Sequence, residues 1–363
     1  MALHLKSERV EEYLSGVYKK AVTVTAVTPL VSGSPDELKG FGYGVPYLIE
    51  FTLGAETKRV VLETMRPEGF GHDHFADRAG ILLWQHSAFN KLPKHVRSVD
   101  VGSFVGDCET LRSLGDCCEF FLLTEFAEGQ LYHVDLDRIR LSGGMLDLDE
   151  ERCVALAEYL GEIHSVKHSE PGLYYRRIRD LVGHGEGIFG LTDSYPGNLG
   201  YVDSKYFVDF EKACVEWRWR LKAKAKRLSQ VHGDFHPWNI MFTKGTDFMV
   251  LDRSRGEWGE PADDIAALTI NYLFYSLQTY GTFAGGAFQR LWSLFWKNYL
   301  DKTGDEEILN VIQPFYAWRS IVIASPLWYP NLPLDVRKKI FRFATRVLKA
   351  KVFEYETADL YLK

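Results

Sequence analysis

The chain is poor in paired cysteine chemistry. Its five cysteines, Cys108, Cys117, Cys118, Cys153 and Cys214, are odd in number and form no C-x-x-C pair. That argues for a reducing, cytoplasmic compartment over a disulfide framework. It also lacks a run of about 18 uncharged apolar residues, so no membrane span is expected. The nearest approach, "AALTINYLFYSLQTYGTFAGGAF" at 266–288, carries polar and glycine interruptions that suit a buried helix. The first residues, "MALHLKSERVEEYL", have no apolar centre of the signal-peptide kind. A basic excess is missing too. Lys and Arg total 43 against 49 Asp and Glu, a formal net charge of −6. No nucleic-acid partner is expected without a basic stripe, whereas a cationic small molecule is compatible with that charge. No repeat, low-complexity linker or disordered tail is evident.

What is present is 363 residues, 46% hydrophobic and 25% charged, more than one small core can use. "SERVEEYLSGVYKK" (7–20) predicts a short amphipathic helix capped by Ser7. Val- and Thr-rich 21–30 predicts a strand, and "VPYLIEFTL" and "TKRVVLETM" predict two more, joined at "GAE" as a hairpin. Between them, 31–44 is a turn-rich loop ending in Gly40, Gly42 and Gly44. A helix is expected over 74–92, with Phe75, Ala79, Leu82, Leu83 and Phe89 at helical spacing. "CEFFLLTEF" (118–126) reads as a further buried strand, with Cys117 and Cys118 as packing residues in or beside it. After "AEGQ" the character changes. Val154, Leu156, Ala157, Leu160, Ile163 and His164 share one side of a strong amphipathic helix, and helices dominate from there. The expected fold is α+β, with a small antiparallel sheet at 1–126 and a larger helical part at 127–363.

The chemistry gathers in "VHGDFHPWNIMF" (231–242) and "FMVLDRSRGEWGEPADDIAAL" (248–268). Asp234 and Asn239 lie five positions apart on one loop. The strands "NIMF" and "DFMVLD", joined by "TKGT", would bring Asn239 at one strand's start close to Asp252 at the other's end. An amide oxygen and a carboxylate are hard oxygen ligands suited to Mg²⁺. Asp234 would stand beside them, free to accept a proton from a hydroxyl. A metal hydrolase using His232, Asp234 and His236 is the competing reading, but it leaves Asp252 unexplained. His72, Asp73, His74 and Asp77 form a second polar cluster, whose acids read better as helix N-terminal charge than as zinc ligands.

These strings resemble the aminoglycoside phosphotransferase and choline kinase superfamily. They share its H-G-D-x-x-x-x-N loop, the strand ending in Asp, and the Gly-x-Pro-x-x-Asp string from Gly259 to Ala266. The resemblance implies a bilobal, protein-kinase-like fold and ATP- and Mg²⁺-dependent phosphorylation of a small-molecule alcohol. It implies Asp234 as catalytic base, Asn239 and Asp252 as Mg²⁺ ligands, Asp264 as a structural anchor and His232 as a residue that holds the loop. It places "FFLLTEFAEGQ" at the crossing between lobes, where Glu125, Phe126 and Ala127 offer backbone groups to adenine. Gly40, Gly42 and Gly44 would cover the phosphates, because no Cβ blocks their backbone N–H groups. One departure stands out. The strand expected to carry a phosphate-binding Lys or Arg has Glu63 near that place, so Arg66 and then Lys58 are the substitute candidates. Glu63 also supports the alternative of a catalytically impaired, kinase-like binding or interaction protein. The aromatics Trp258, Tyr275, Trp318, Trp328 and Tyr329 are candidates for a box around a cation, or for ordinary core.

Overall fold

The structure is a computed structural model that describes residues 5–30, 44–67, 71–106, 108–197 and 199–363. The glycine-loop residues Gly40 and Gly42 lie outside the described residues. The chain divides into two compact units, Met1–Thr124 and Glu125–Lys363.

In the first unit, helix α1 (Ser7–Tyr18) is followed by strands β1 (Val22–Pro29), β2 (Gly44–Leu53) and β3 (Glu56–Met65). These form one antiparallel sheet in the order β1-β2-β3. The β2–β3 turn is only Gly54 and Ala55, because Leu53 pairs with Glu56, and Gly54 takes φ +63° there. Period-2 alternation puts Ile49 and Phe51 on the face that meets Val10 and Leu14 of α1, which makes a small core of its own. The β1 register slips between Val24 and Ala26, and Glu11 of α1 accepts the Val24 N–H at 2.8 Å. The cap differs from expectation. Lys6 holds the N-cap position and Ser7 is already helical. Helix α2 (Phe75–Phe89) and a hairpin of β4 (Gly102–Val105) with β5 (Thr110–Ser113) complete the unit. The hairpin is an addition to the expected elements. Helix α2 also differs, for it does not bury its apolar stripe: no α2 residue is fully buried and Phe75 is exposed.

The run 118–126 corrects a further expectation. Among the described residues it joins no ladder, and Leu123 and Phe126 are each 88% exposed. Cys117 and Cys118 are likewise exposed. An apolar run becomes a strand only where an edge offers hydrogen-bond partners. Among the described residues β3 ends its sheet, and β4 and β5 pair only with each other.

The second unit begins with β6 (Gln130–Leu131) and helices α3 (Tyr132–Ser142), α4 (Asp147–Ser165), α5 (Pro171–Gly183), α6 (Ile188–Asp193) and α7 (Ser204–Lys222). Short strands follow: β7 (Ser229–Gln230), β8 (Ile240–Lys244), β9 (Asp247–Val250) and β10 (Trp258–Gly259). Four helices close the unit: α8 (Ala262–Tyr280), α9 (Ala287–Thr303), α10 (Gln313–Ile323) and α11 (Leu334–Lys349). The α+β class and its division into a small antiparallel part and a larger helical part therefore stand. Helix α4 buries Cys153, Leu156, Ala157, Leu160 and His164 at the expected spacing. Helix α8 is buried from Ala262 to Leu277 without interruption, which fits a helix at the centre of a bundle. Trp292, Trp296, Tyr316 and Phe353 pack ring against ring in the same core. No helix among the described residues is long and apolar enough to cross a membrane.

Candidate active site

The loop between β7 and β8 carries His232, Gly233, Asp234 and His236, and a single 3-10 turn, Pro237–Asn239, leads into β8. Its backbone is held from below by Asp264 in the first turn of α8. The two Asp264 oxygens accept the N–H groups of His232 at 2.8 Å and Gly233 at 2.7 Å. The same carboxylate meets His164 Nε2 at 3.1 Å, and His164 Nδ1 meets the Tyr299 hydroxyl at 3.0 Å. Burial pushes the Asp264 carboxyl up, but the His164 contact and the His232 amide hold it below the usual carboxylate range. Gly233 turns the chain at φ +88°, and a Cβ there would stand 3.0 Å from Arg177 Nη2.

His232 bridges the loop to the next strand. Its Nδ1 accepts the Asp234 N–H at 3.2 Å, so the ring proton sits on Nε2 and is donated to Leu251 O at 2.9 Å. The β8–β9 hairpin forms as expected, with Ile240 opposite Val250 and a turn through Gly245 at φ +57°. The ladder proper stops at Val250, earlier than the sequence suggests. The Leu251 N–H still donates to Asn239 O at 2.8 Å, which sets Asn239 across from the exit of β9. Asp252 follows at φ +55°, exposed, with no hydrogen bond or ion pair among the described residues. Asn239 is buried, and its Nδ2 donates to Asp234 O at 3.0 Å. That bond fixes the amide's orientation and leaves Oδ1 without a partner among the described residues.

Asp234 lies in a charged cluster that sequence reasoning did not find. Arg319 Nη1 meets Asp234 Oδ1 at 2.5 Å, and Arg319 Nη2 meets Asp263 Oδ1 at 2.8 Å and Gly233 O at 3.3 Å. Arg177 donates to the other Asp263 oxygen at 2.8 Å and to Arg255 O at 2.6 Å. Arg255 Nε stands 3.5 Å from Asp234 Oδ2, and His236 Nε2 stands 3.7 Å from it. Burial alone pushes the Asp234 carboxyl upward, but Arg319 and then Arg255 overrule it and hold it at about 2. Burial pushes His236 down to about 4, against the pull of Asp234, so its ring is neutral near pH 7. A signal for Arg319 was there to read, since it is the one charged residue in α10. A lone charge in an apolar helix calls for a buried counter-ion.

The aromatic candidates do not gather into one box. The Trp318 ring lies against the protein's own guanidinium groups, Arg319 at 4.0 Å and Arg255 at 4.8 Å. Tyr275 is core and Trp328 is exposed. In the first unit, Lys58 pairs with Glu56 at 3.3 Å and lies over the Tyr18 ring, on the strand face opposite Glu63. Arg66 follows the end of β3 and is exposed, Gly44 opens β2, and Glu125–Ala127 lie in a stretch without a ladder. Among the described residues, no group of three or more His, Cys, Asp or Glu is placed to hold a metal.

A family model described as the phosphotransferase enzyme family matches residues 85–291, more than half of the chain. The match takes in the whole loop from His232 to Asn239, together with Asp252 and Asp264. The chain belongs to the phosphotransferase enzyme family. That membership bears out the resemblance carried by the H-G-D-x-x-x-x-N loop. No curated protein matches this phosphotransferase in sequence. Solved structures similar to it include an ethanolamine kinase of Plasmodium vivax, at 14% identity over 93% of this chain and 80% of that one, TM-score 0.36. The amicoumacin kinase hAmiN, solved with AMP-PNP, Ca²⁺ and Ami, matches at 17% identity over 98% and 93%, TM-score 0.42. The choline kinase LicA of Streptococcus pneumoniae matches at 14% over 94% and 98%, TM-score 0.35.

Proposed function

We propose that this phosphotransferase is an ATP- and Mg²⁺-dependent kinase that phosphorylates a hydroxyl of a small molecule. One observation carries the reading. Asp234 keeps a carboxylate oxygen free of hydrogen bonds. Asn239 Oδ1 and the Asp252 carboxylate, at the ends of one hairpin, likewise have no partner among the described residues. Two hard oxygen donors suit Mg²⁺, which takes few protein ligands and completes its shell with water and phosphate oxygens. When bound, the ion neutralises charge on the transferring phosphoryl group.

Asp234 would orient the acceptor hydroxyl. As the hydroxyl oxygen bonds to the terminal phosphorus, the bridging oxygen leaves with ADP and the hydroxyl proton passes to Asp234. A carboxyl held at about 2 is ionised at any physiological pH and is a weak base. That suits phosphoryl transfer, whose loose transition state asks for orientation and late proton removal more than a strong base. Gly40, Gly42 and Gly44, with Arg66 and the backbone of Glu125–Ala127, are the proposed nucleotide contacts; Lys58 is the weaker cation candidate, since it pairs with Glu56 on the strand face opposite Glu63. The impaired-kinase alternative rests on Glu63, a carboxylate where a phosphate-binding cation was expected.

Two measurements separate the two readings. Thermal shift with ATP, with and without Mg²⁺, tests binding, and an ATPase-coupled screen of small alcohols tests transfer. The kinase reading expects Mg²⁺-dependent stabilisation by ATP and at least one alcohol that accelerates ADP release. Binding with no turnover on any acceptor, water included, would select the impaired protein. Asp234→Asn should leave Mg·ATP binding nearly unchanged and lower turnover about 10²–10⁴-fold.

A further inference from the structure

We propose that Arg319 is a positioning residue for phosphotransfer: it takes one oxygen of Asp234 and so reserves the other for the acceptor hydroxyl. The proposal rests on the kinase reading of the site.

The two oxygens of Asp234 are not equivalent. Oδ1 is in contact with Arg319 Nη1 at 2.5 Å. Oδ2 has Arg255 Nε at 3.5 Å and His236 Nε2 at 3.7 Å, both beyond good hydrogen-bond length. Oδ2 therefore has positive charge nearby and no donor in contact among the described residues, which leaves its lone pairs for a hydroxyl. Rotation about the last bond of an Asp side chain is soft, with a broad, roughly two-fold profile. Without a fixed donor on Oδ1, nothing within Asp234 would decide which way Oδ2 points. Catalytic groups lose much of their effect when misaligned by 10–20° or so.

Arg319 is itself held in place. Asp263 Oδ1 at 2.8 Å and Gly233 O at 3.3 Å take its second terminal nitrogen, Nη2, and its guanidinium lies on the Trp318 ring at 4.0 Å. Asp263 is fixed in turn by Arg177 of α5. The direction of Oδ2 is thus set by α10, α8 and α5 together with the Gly233 carbonyl of the loop that carries Asp234. Arg319 touches no reacting atom and acts only through Asp234.

The test uses the full chain with Mg·ATP and the best acceptor from the alcohol screen, or water. Arg319→Ala should lower kcat about 10²-fold, while KM for ATP stays within about twofold, as for an interaction realised only in the transition state. Low-millimolar guanidinium should restore about tenfold of that loss in Arg319→Ala and nothing in Asp234→Asn, since a small cation can refill the site beside Oδ1. Arg319→Lys, which keeps the charge and one donor, should fall between. Circular dichroism and a cooperative melt establish that each variant is folded. The proposal is overturned by an unchanged kcat in folded Arg319→Ala, or by a rise in KM for ATP at constant kcat. A loss that neither guanidinium nor lysine relieves overturns it too and makes Arg319 a fold residue only. Failure of the kinase reading looks different, because the wild-type chain itself would then fail to turn over Mg·ATP with any acceptor, water included, whether or not it binds the nucleotide.

Discussion

Asp252 and Asp264 are both aspartates of the same site, and their surroundings assign them opposite tasks. Asp252 is exposed, in the left-handed region and unpaired among the described residues, so its side chain makes no contact that holds the fold. Asp252→Ala should cost only about 1 kcal/mol, from placing Ala at φ +55°, and yet lose Mg²⁺-dependent ATP binding in a calorimetric titration. Unchanged Mg·ATP affinity in the folded variant would remove Asp252 from the metal. Asp264 is fully buried and accepts two backbone N–H groups as well as His164. Asp264→Asn turns one acceptor into a donor facing a donor, and should cost about 3 kcal/mol in urea unfolding at pH 7. The pH dependence follows from the direction of its shift. The folded carboxyl lies below its unfolded value of about 3.9, so its stabilisation is complete above that pH. It is lost as pH falls through the folded value. The gap between wild type and Asp264→Asn should therefore be constant from about pH 7 to 5 and narrow below about pH 4. A gap that widened on acidification would contradict the assignment.

Among the elements, the hairpin of β8 and β9 is readable in the sequence because both its strands and its glycine turn are local, and the exit of β9 opposite Asn239 follows from that register. The run 118–126 misleads for the opposite reason. It carries the composition of a strand, but pairing depends on an edge elsewhere in the chain, and no local pattern reports that. His232, Asp234, Asn239 and Asp264 are legible as a group through their motif spacing. Arg319 is legible only as a lone charge in α10 that needs a counter-ion; its pairing with Asp234 is not, since the tie spans 85 positions and no periodicity links a loop to a helix so far away. The loop element also makes its own prediction. Gly233→Ala places a side chain at φ +88° with its Cβ 3.0 Å from Arg177 Nη2 and 3.2 Å from Arg255 Cβ. A cost of about 1–3 kcal/mol is expected from strain and displacement together. Turnover should fall with it, because Arg255 borders Asp234 and Arg177 holds Asp263. A variant as stable and active as wild type would show that the turn relaxes without moving them.

At the scale of the molecule, the two units have separate cores. Val10, Leu14 and Phe51 belong to one, and Leu160, Tyr272, Trp292 and Tyr316 to the other. The second core spans helices from α3 to α11, the elements that support the Asp234 cluster. Residues 125–363 expressed alone should therefore fold, with strong helical circular dichroism and a cooperative melt; a fragment that stays unfolded would mean the second core is not self-sufficient. Synthesis adds a time order. Asp234 is made 85 residues before Arg319, a delay of roughly 4–17 s at about 5–20 residues per second. Through that interval the nascent loop holds a carboxylate whose closest counter-ion, Arg319, has not been translated. A chain released by a premature stop anywhere between Asn239 and Arg319 would carry every residue of the H-G-D-x-x-x-x-N string and still lack the means to hold Asp234 in place.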